Sequence, residues 1–416
     1  MSARLQAPRG TYDVLPEAAD ARAALEAVAR RVLEGAGYRR IETPAFEYTD
    51  VFARGVGAST DIVQKEMYSF DDGGGRSLTL RPEGTAPICR AYAEHGMHKQ
   101  PQPVKLWYLS SFFRAERPQQ GRFRQFWQLG AEALGSDDPA VDAETIFLLT
   151  TLFDELDVAG LRLRLSSLGT AAARHAYRER LQAHLRANAD RLADDVRGRI
   201  ELNPLRAFDS DHAGTRAVMA EAPLLLDQLD ADDADHFAAV RELLDGAGIE
   251  YEIDATLVRG MDYYTRTVFE FTSDALGAQS GVAGGGRYDG LVEMLGGPPT
   301  PGCGWAAGIE RTLLASAALP AASAPVDVYV AFDDPAQRRT AFALASEARR
   351  ARLNAHIELA GRSRKGQLRH ADRIGARYVA IVGGESTVLK DMTAGEQRDV
   401  AAGEVVARIL RDRGMR

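Results

Sequence analysis

The stretch from Phe113 to Phe126 places four arginines, Arg114, Arg117, Arg122 and Arg124, around a Gly/Pro loop. Arginine forks match phosphate oxygens and phenylalanine rings stack on bases, so this composition suits a nucleotide. A charged surface hairpin is the competing reading, and the stretch alone does not separate the two. In Gly308-Ile309-Glu310-Arg311 an arginine opens an apparent helix, where an anion can sit. So short a string is more simply an amphipathic helix. A third region joins Leu257-Val258-Arg259-Gly260-Met261-Asp262-Tyr263-Tyr264-Thr265 to Gly284-Gly285-Gly286-Arg287-Tyr288-Asp289-Gly290. Its glycines do not follow the strand–turn–helix pattern of dinucleotide sites, and there is no P-loop lysine. What is left is a polar, aromatic strand carrying an unusually placed Arg259.

The elements that must position these residues are legible from periodicity. Pro16 to Glu34 reads as a helix with Leu25, Val28, Ala29, Val32 and Leu33 on one face, stopped by Gly35 and Gly37. Tyr38 to Pro44 reads as extended. Met67–Phe70 and Ser77–Arg81 read as a hairpin about Asp71-Asp72-Gly73-Gly74-Gly75. Val104–Phe113 and Phe123–Leu134 read as a second antiparallel pair flanking the arginine loop, and Leu161–Ser166 as a half-buried strand. Residues of about 170–248 are rich in Ala, Arg, Asp and Leu with a helical period and read as an insertion. Gly-rich strands return from Tyr251 to Gly308. Ala315 to Pro325 is a proline-punctuated, small-residue linker. Beyond it, strands at Val326–Phe332, His356–Leu359 and Tyr378–Val382 alternate with helices, as in a small α/β domain. The segment Ser386–Met392 lacks a clean strand pattern. The organisation expected is therefore two domains, 1–320 and 326–416.

Composition narrows the classes further. With 45% hydrophobic and 26% charged residues the chain is an ordinary globular one. Neither a signal peptide nor a membrane-length apolar run is present, so no membrane is expected and a cytoplasmic protein is. Cys89 and Cys303 are too few for a disulfide framework or thiolate zinc site and suit a reducing compartment. His95 and His98 lack a ligand partner at metal spacing and read as surface loop residues. No metal held by protein side chains is expected. The net charge of −8 hides an asymmetry. Residues 326–416 carry 17 Lys+Arg against 12 Asp+Glu, and the remainder 34 against 47. A basic C-terminal module on an acidic body fits a polyanionic partner, although a solvated surface has the same composition.

Taken in order, Leu80-Arg81-Pro82-Glu83-Gly84-Thr85, the Phe113–Phe126 loop, Gln128-Leu129-Gly130-Ala131-Glu132, the Arg259–Thr265 string and Gly308-Ile309-Glu310-Arg311 resemble the histidyl-tRNA synthetase family. The resemblance begins at Arg9-Gly10-Thr11-Tyr12-Asp13 and covers essentially the whole chain. It implies an α+β fold: a class II synthetase catalytic domain on an antiparallel sheet with a helical insertion, and a small α/β anticodon-binding domain. It implies ATP, Mg²⁺, L-histidine and histidine tRNA as substrates and partners. It also implies a homodimer, with the helix and strand ending at Pro44 similar to the class's first motif. By resemblance Arg114 holds the α-phosphate and Arg311 the γ-phosphate, Glu116 reads the adenine edge and Phe126 stacks on the ring. Arg259 would contact both the α-phosphate and the histidine carboxylate. Glu83, Thr85 and Gln128 would take the α-ammonium group, Glu132 and Tyr264 the two imidazole nitrogens, and Tyr263 would line the pocket. Trp127 stands where many relatives have histidine, which is expected to alter packing beside the pocket.

The main alternative is the family's non-catalytic relative, a regulatory subunit of ATP phosphoribosyltransferase. It typically lacks the C-terminal domain and the catalytic arginines, which this chain retains. A class II synthetase for another amino acid and an RNA-binding sensor on the same fold are weaker alternatives.

Overall fold

A computed structural model describes residues 5–57, 60–257, 261–317, 325–384 and 386–413. The chain divides into two compact units, Met1–Pro320 and Ala321–Arg416. The strands of the first unit are β1 (Arg39–Arg40), β2 (Phe46–Tyr48), β3 (Tyr68–Asp71), β4 (Ser77–Leu80), β5 (Val104–Phe113), β6 (Gln125–Leu134), β7 (Leu161–Ser167), β8 (Glu252–Ile253), β9 (Thr265–Ser273), β10 (Gly281–Arg287) and β11 (Gly302–Gly308).

Among the described residues, eight of these form one sheet in the order β1-β5-β6-β11-β10-β9-β7-β8. Only its edge pairs, β1 with β5 and β7 with β8, are parallel. Within it β5 and β6 pair along their full lengths, from Val104 opposite Leu134 to Phe113 opposite Gln125. Successive side chains of a strand point to opposite faces, and both faces here are covered. Trp107, Leu129, Ala131, Ala133, Trp305 and Ala307 join one core with the helices Pro16–Gly35, Pro139–Glu155 and Ala231–Gly246. Leu106, Tyr108, Phe112 and Leu134 join another with the helix Thr85–Glu94 and with Tyr263, Tyr264 and Tyr288. The second face therefore receives Gln128, Gly130 and Glu132 from β6, and Gly302, Gly304 and Gly308 from β11.

Of the helical stretch beyond β7, residues Tyr177 to Leu225 have an apolar cluster of their own. The helix Ala231–Gly246 instead packs Phe237, Val240 and Leu244 into the main core. A smaller sheet, ordered β2-β4-β3, contains the expected hairpin. Its turn is held by Asp72, whose Oδ1 accepts from Gly74 N at 2.8 Å and Arg76 N at 3.0 Å. The linker Ala315–Pro325 lies largely outside the described residues, although the helix Ile309–Ala315 reaches its first residue.

In the second unit β12 (Val328–Ala331), β13 (Ala355–Ile357), β14 (Tyr378–Val382), β15 (Thr387–Asp391) and β16 (Gln397–Val400) form a sheet in the order β13-β12-β14-β15-β16. The segment Ser386–Met392, expected to lack a clean strand, is corrected by β15. Charged Lys390 and Asp391 obscure its pattern, but Thr387 and Leu389 are buried and five residues pair antiparallel with β14. Helices Arg338–Arg350 and Val405–Asp412 cover one face of this sheet, and Arg364–Arg373 covers the other.

The glycine at 130 is demanded by packing. A Cβ there would stand 2.2 Å from Tyr108 Cζ, and the same ring is wedged against Gly84, where a Cβ would approach it to 2.6 Å. Gly130→Ala is expected to destabilise the first unit by roughly 1–3 kcal/mol, the usual magnitude of core overpacking. Calorimetry showing a wild-type melting temperature would disprove the wedge.

Candidate functional site

On the second sheet face lies a cavity of about 290 Å³. Its lining includes Glu83, Thr85, Arg114, Glu116, Phe126, Gln128, Tyr263, Tyr264 and Arg311, nine residues singled out from sequence. Glu132 lies deeper and does not line it. Arg259 lies outside the described residues, with its neighbours Val258 and Gly260.

The cationic side chains come from both edges of the arginine loop and from the helix after β11. Arg114, following β5, donates Nε to Pro82 O at 2.9 Å and stands 5.1 Å over the Phe126 ring. Arg311 donates to the carbonyls of Gly121 (3.2 Å) and Gly281 (2.6 Å). Burial, followed by the neighbouring charges of Arg122 and Arg114, lowers the Arg311 pKa below the ordinary arginine value. Burial likewise lowers those of Arg114 and Arg122. Side chains of like charge gathered in a cavity define a place for an anion. Glu116 is ion-paired with Arg122. Glu270 also lines the cavity, near Arg311.

The acidic side chains are set by the helix Thr85–Glu94 and by β6. Glu83 is 2% exposed and accepts from the backbone N–H groups of Thr85 (2.8 Å) and Ala86 (3.0 Å) at that helix's start. Burial raises its pKa, and those two N–H groups oppose the rise. Gln128 presents a buried Oε1 without a hydrogen-bond partner among the described residues, as does the Tyr108 hydroxyl. Both belong to cavity-lining residues.

Glu132 is fully buried. Thr85, expected at the ammonium group, donates its hydroxyl to Glu132 Oε1 at 2.8 Å. Tyr288 donates to Oε2 at 2.6 Å. Burial pushes the Glu132 pKa up to about 8, against the two hydroxyl bonds that pull it down. Space for the carboxylate is made by Gly304, its partner in register, since a Cβ there would come within 1.9 Å of Oε2. Tyr288 was missed as a site residue in sequence reading. Its string was singled out, but nothing local announces a bond across 156 positions. Tyr264 lines the cavity with its ring 4.8 Å from that of Tyr263.

Trp127 is turned by the strand's two-residue period toward the helix-covered core, not the cavity. Arg22 lies 5.1 Å over its ring, and its N–H donates to Glu310. Glu310 also accepts from Tyr12 (2.6 Å) and Arg22 (2.7 Å), which ties the N-terminal segment to the helix of Arg311. The two cysteines are free and buried, and no group of three potential metal ligands occurs among the described residues. No described helix is long and apolar enough to cross a membrane.

The Glu132 shift has a thermodynamic consequence. Between its ordinary value of 4.5 and about 8, the folded chain keeps a proton that the unfolded chain has released. Folding stability therefore falls as pH rises through that window. Glu132→Gln removes the titration, so the variant is expected to melt increasingly above wild type from pH 5 to pH 9. Melting curves that shift in parallel for both proteins across this range would refute the assignment.

Comparison with known proteins accords with this geometry. A family model described as histidyl-tRNA synthetase matches residues 10–312, and one described as anticodon binding domain matches residues 327–412. The histidine–tRNA ligase of Desulforudis audaxviator is 48% identical over 416 aligned positions, covering 97% of this chain and 98% of that one. That of Desulforamulus reducens is 45% identical over 408, covering 96% and 97%. The apo histidyl-tRNA synthetase of S. aureus superposes with a TM-score of 0.82 at 33% identity, covering 98% of this chain and all of that one. The family models matched in both units, together with relatives 45–48% identical over nearly the whole chain, mean that the chain belongs to the histidyl-tRNA synthetase family.

Proposed function

We propose that this chain activates L-histidine with ATP and then transfers histidine to the 3′ end of histidine tRNA in the cytoplasm. The observation that carries the reading is a single cavity lined by Arg114, Arg122 and Arg311 together with Glu83 and Gln128. Phosphate needs the first set, and an ammonium group the second.

In the first step a carboxylate oxygen of histidine attacks the α-phosphorus. The bond to the oxygen bridging to the β-phosphate breaks, and pyrophosphate leaves. In the second, a ribose hydroxyl of the tRNA attacks the activated carbonyl and AMP leaves. Neither step needs a protein nucleophile, so catalysis is positioning and charge neutralisation. Arg114 takes the α-phosphate and Arg311 the γ-phosphate. Glu116 reads the adenine edge and Phe126 stacks on its ring. Arg259 neutralises the carboxylate and α-phosphate from the other side. Mg²⁺ bound with ATP would add neutralisation of the outgoing phosphates, and the cavity-lining Glu270 carboxylate would be the oxygen ligand to hold it. Glu83 and Gln128 hold the α-ammonium group. The Thr85 and Tyr288 hydroxyls fix the Glu132 carboxylate that accepts the imidazole N–H, while Tyr264 meets the other nitrogen.

The basic second unit is proposed to grip the anticodon region. On its helix Arg364–Arg373, residues Lys365, Arg369 and Arg373 are exposed. One preparation tests both parts. Exchange of pyrophosphate into ATP is expected with histidine and not with other amino acids, and to fall at least about a hundredfold in Arg259→Ala. A chain ending near Pro320 is expected to keep that exchange but to bind tRNA weakly and with a shallower salt dependence. Exchange with another amino acid overturns the substrate, and undiminished tRNA affinity overturns the role of the second unit.

We also propose a homodimer, on different grounds from those the sequence suggests. The apolar face of the helix Pro16–Gly35 is consumed within the chain, where Leu25, Ala29 and Leu33 are buried. Pro44 precedes β2 and lies outside any strand. The small sheet is instead inverted: Thr79 and Glu47 are buried, while Phe46 (49% exposed), Tyr48 (53%) and Phe70 (45%) face outward. An aromatic face of this kind fits a second copy of the chain. Light scattering is expected to give twice the chain mass, and Phe46→Glu with Phe70→Glu to give the monomer. An active wild-type monomer at micromolar concentration contradicts this.

A further inference from the structure

The segment carrying Tyr263 and Tyr264 is held from outside the cavity by the helical excursion that follows β7. Arg174, on the helix Ala171–Ala187, donates one guanidinium nitrogen to Asp262 O at 2.7 Å and the other to Tyr264 O. Two carbonyls two residues apart thus turn toward one planar group. The backbone between them, and with it the direction of both tyrosine side chains, is fixed. Arg174 is absent from the cavity lining, whereas Tyr263 and Tyr264 belong to it.

The flanks of the segment are held as well. Asp262 N donates to Val56 O at 3.1 Å. Two residues after Tyr264, Arg266 adopts a left-handed φ of 45°, a conformation that a non-glycine residue keeps only when its surroundings impose it. Here they do. Arg266 N donates to Gly169 O at 2.7 Å, and its Nε to Asp233 Oδ1 at 2.9 Å. Asp233 is fully buried and also accepts from Thr170 N at 2.6 Å. Both ends of the excursion, Arg174 near its beginning and Asp233 near its end, therefore close on the same strand entry.

We infer that Arg174 is a positioning residue for the amino-acid side chain of the substrate, acting through the backbone of Asp262 and Tyr264. This rests on the function proposed above. Binding of histidine then depends on a residue that never touches it, whereas ATP, held mainly by the arginine loop and Arg311, depends on it far less. Burial of the guanidinium, which lowers its pKa, agrees with a role internal to the fold and not at its surface.

The test uses the full chain and histidine-dependent pyrophosphate exchange, with melting temperatures recorded for every variant. Arg174→Ala is expected to raise the KM for histidine about tenfold, the scale of one or two lost charge-assisted hydrogen bonds, with the KM for ATP within about twofold of wild type. Arg174→Lys keeps the charge but loses the planar fork, and is expected to recover part of the loss. It is also the variant that decides the matter if the alanine protein does not fold. In a Tyr264→Phe background the same substitutions are expected to add less than in the wild type, since part of the effect of Arg174 passes through the Tyr264 hydroxyl. A histidine KM unchanged in Arg174→Ala and Arg174→Lys overturns the inference, and so does an equal rise for histidine and ATP. Absence of histidine-dependent exchange in the wild-type chain is a different result, which overturns the proposed function itself.

Discussion

A carboxylate removed from water must either hold a proton or be surrounded by donors, and Glu132 is subject to both demands at once. Burial raises its pKa to about 8, while the hydroxyls of Thr85 and Tyr288 each supply a bond to one oxygen. Much of the first unit's central architecture follows from giving that group room. It stands on β6, an interior strand of the large sheet, where the strand opposite must be thin. Gly304 faces it in register. Gly302, one step of the two-residue period away, leaves space for Tyr288, whose ring a Cβ there would approach to 2.3 Å. The glycine-rich sequence of β11 is thus a set of side chains omitted on one face, while Cys303, Trp305 and Ala307 fill the core on the other. The strand is permissive toward the cavity and closely packed away from it.

The cationic side of the cavity is managed differently. Arg114, Arg122 and Arg311 repel one another and each loses hydration; Glu116 pairs with Arg122 and lies 3.7 Å from Arg114, and neutral groups orient Arg114 and Arg311 as well. Backbone carbonyls do this: Pro82 O for Arg114, and Gly121 O with Gly281 O for Arg311. The helix of Arg311 is held in turn through Glu310, whose carboxylate gathers Tyr12, Arg22 and the Trp127 N–H. The N-terminal segment closes this arrangement. Tyr12 stacks 4.4 Å from Phe123, and Gly10 O accepts from Arg124 N at 2.7 Å. Residues more than a hundred positions apart thus brace the arginine loop, and Phe123 and Glu310 among them also line the cavity.

Which of these features were legible in the sequence depends on how local their cause is. The β5–β6 pair was legible because its hydrophobic pattern and arginine loop lie in one continuous stretch. Gln128 and Glu132 were named through the family resemblance, and the strand's period of two puts both on one face. The same period places Trp127 on the other, which a list of motif positions does not convey. Tyr288 and Arg174 were not legible, since their partners lie 156 and 90 positions away and neither residue type is unusual where it stands. The strand at Thr387–Asp391 was hidden for another reason. It is flanked by strands on both sides, so its backbone is satisfied by pairing and its side chains need be buried on one face only. The apolar stripe of the first helix was legible as a buried face, and Leu25, Ala29 and Leu33 are buried within the chain's own core.

The small inverted sheet bears on the cavity through chain connectivity. β4 ends at Leu80, and the next five residues supply Pro82 O to Arg114, the Glu83 carboxylate, Gly84 against Tyr108 and the Thr85 hydroxyl to Glu132. Arg81 secures this run by donating to Ser111 O at 2.8 Å and Thr43 O at 2.6 Å, with its guanidinium 5.1 Å over Phe112. Any surface that covered Phe46, Tyr48 and Phe70 would therefore press on a sheet whose central strand continues directly into both the acidic and the cationic sides of the cavity. Small displacements of a closely packed strand are passed along it and not absorbed, because the interior has little free volume. The aromatic face and the cavity are thus joined by one continuous stretch of chain, β4 and the five residues after it.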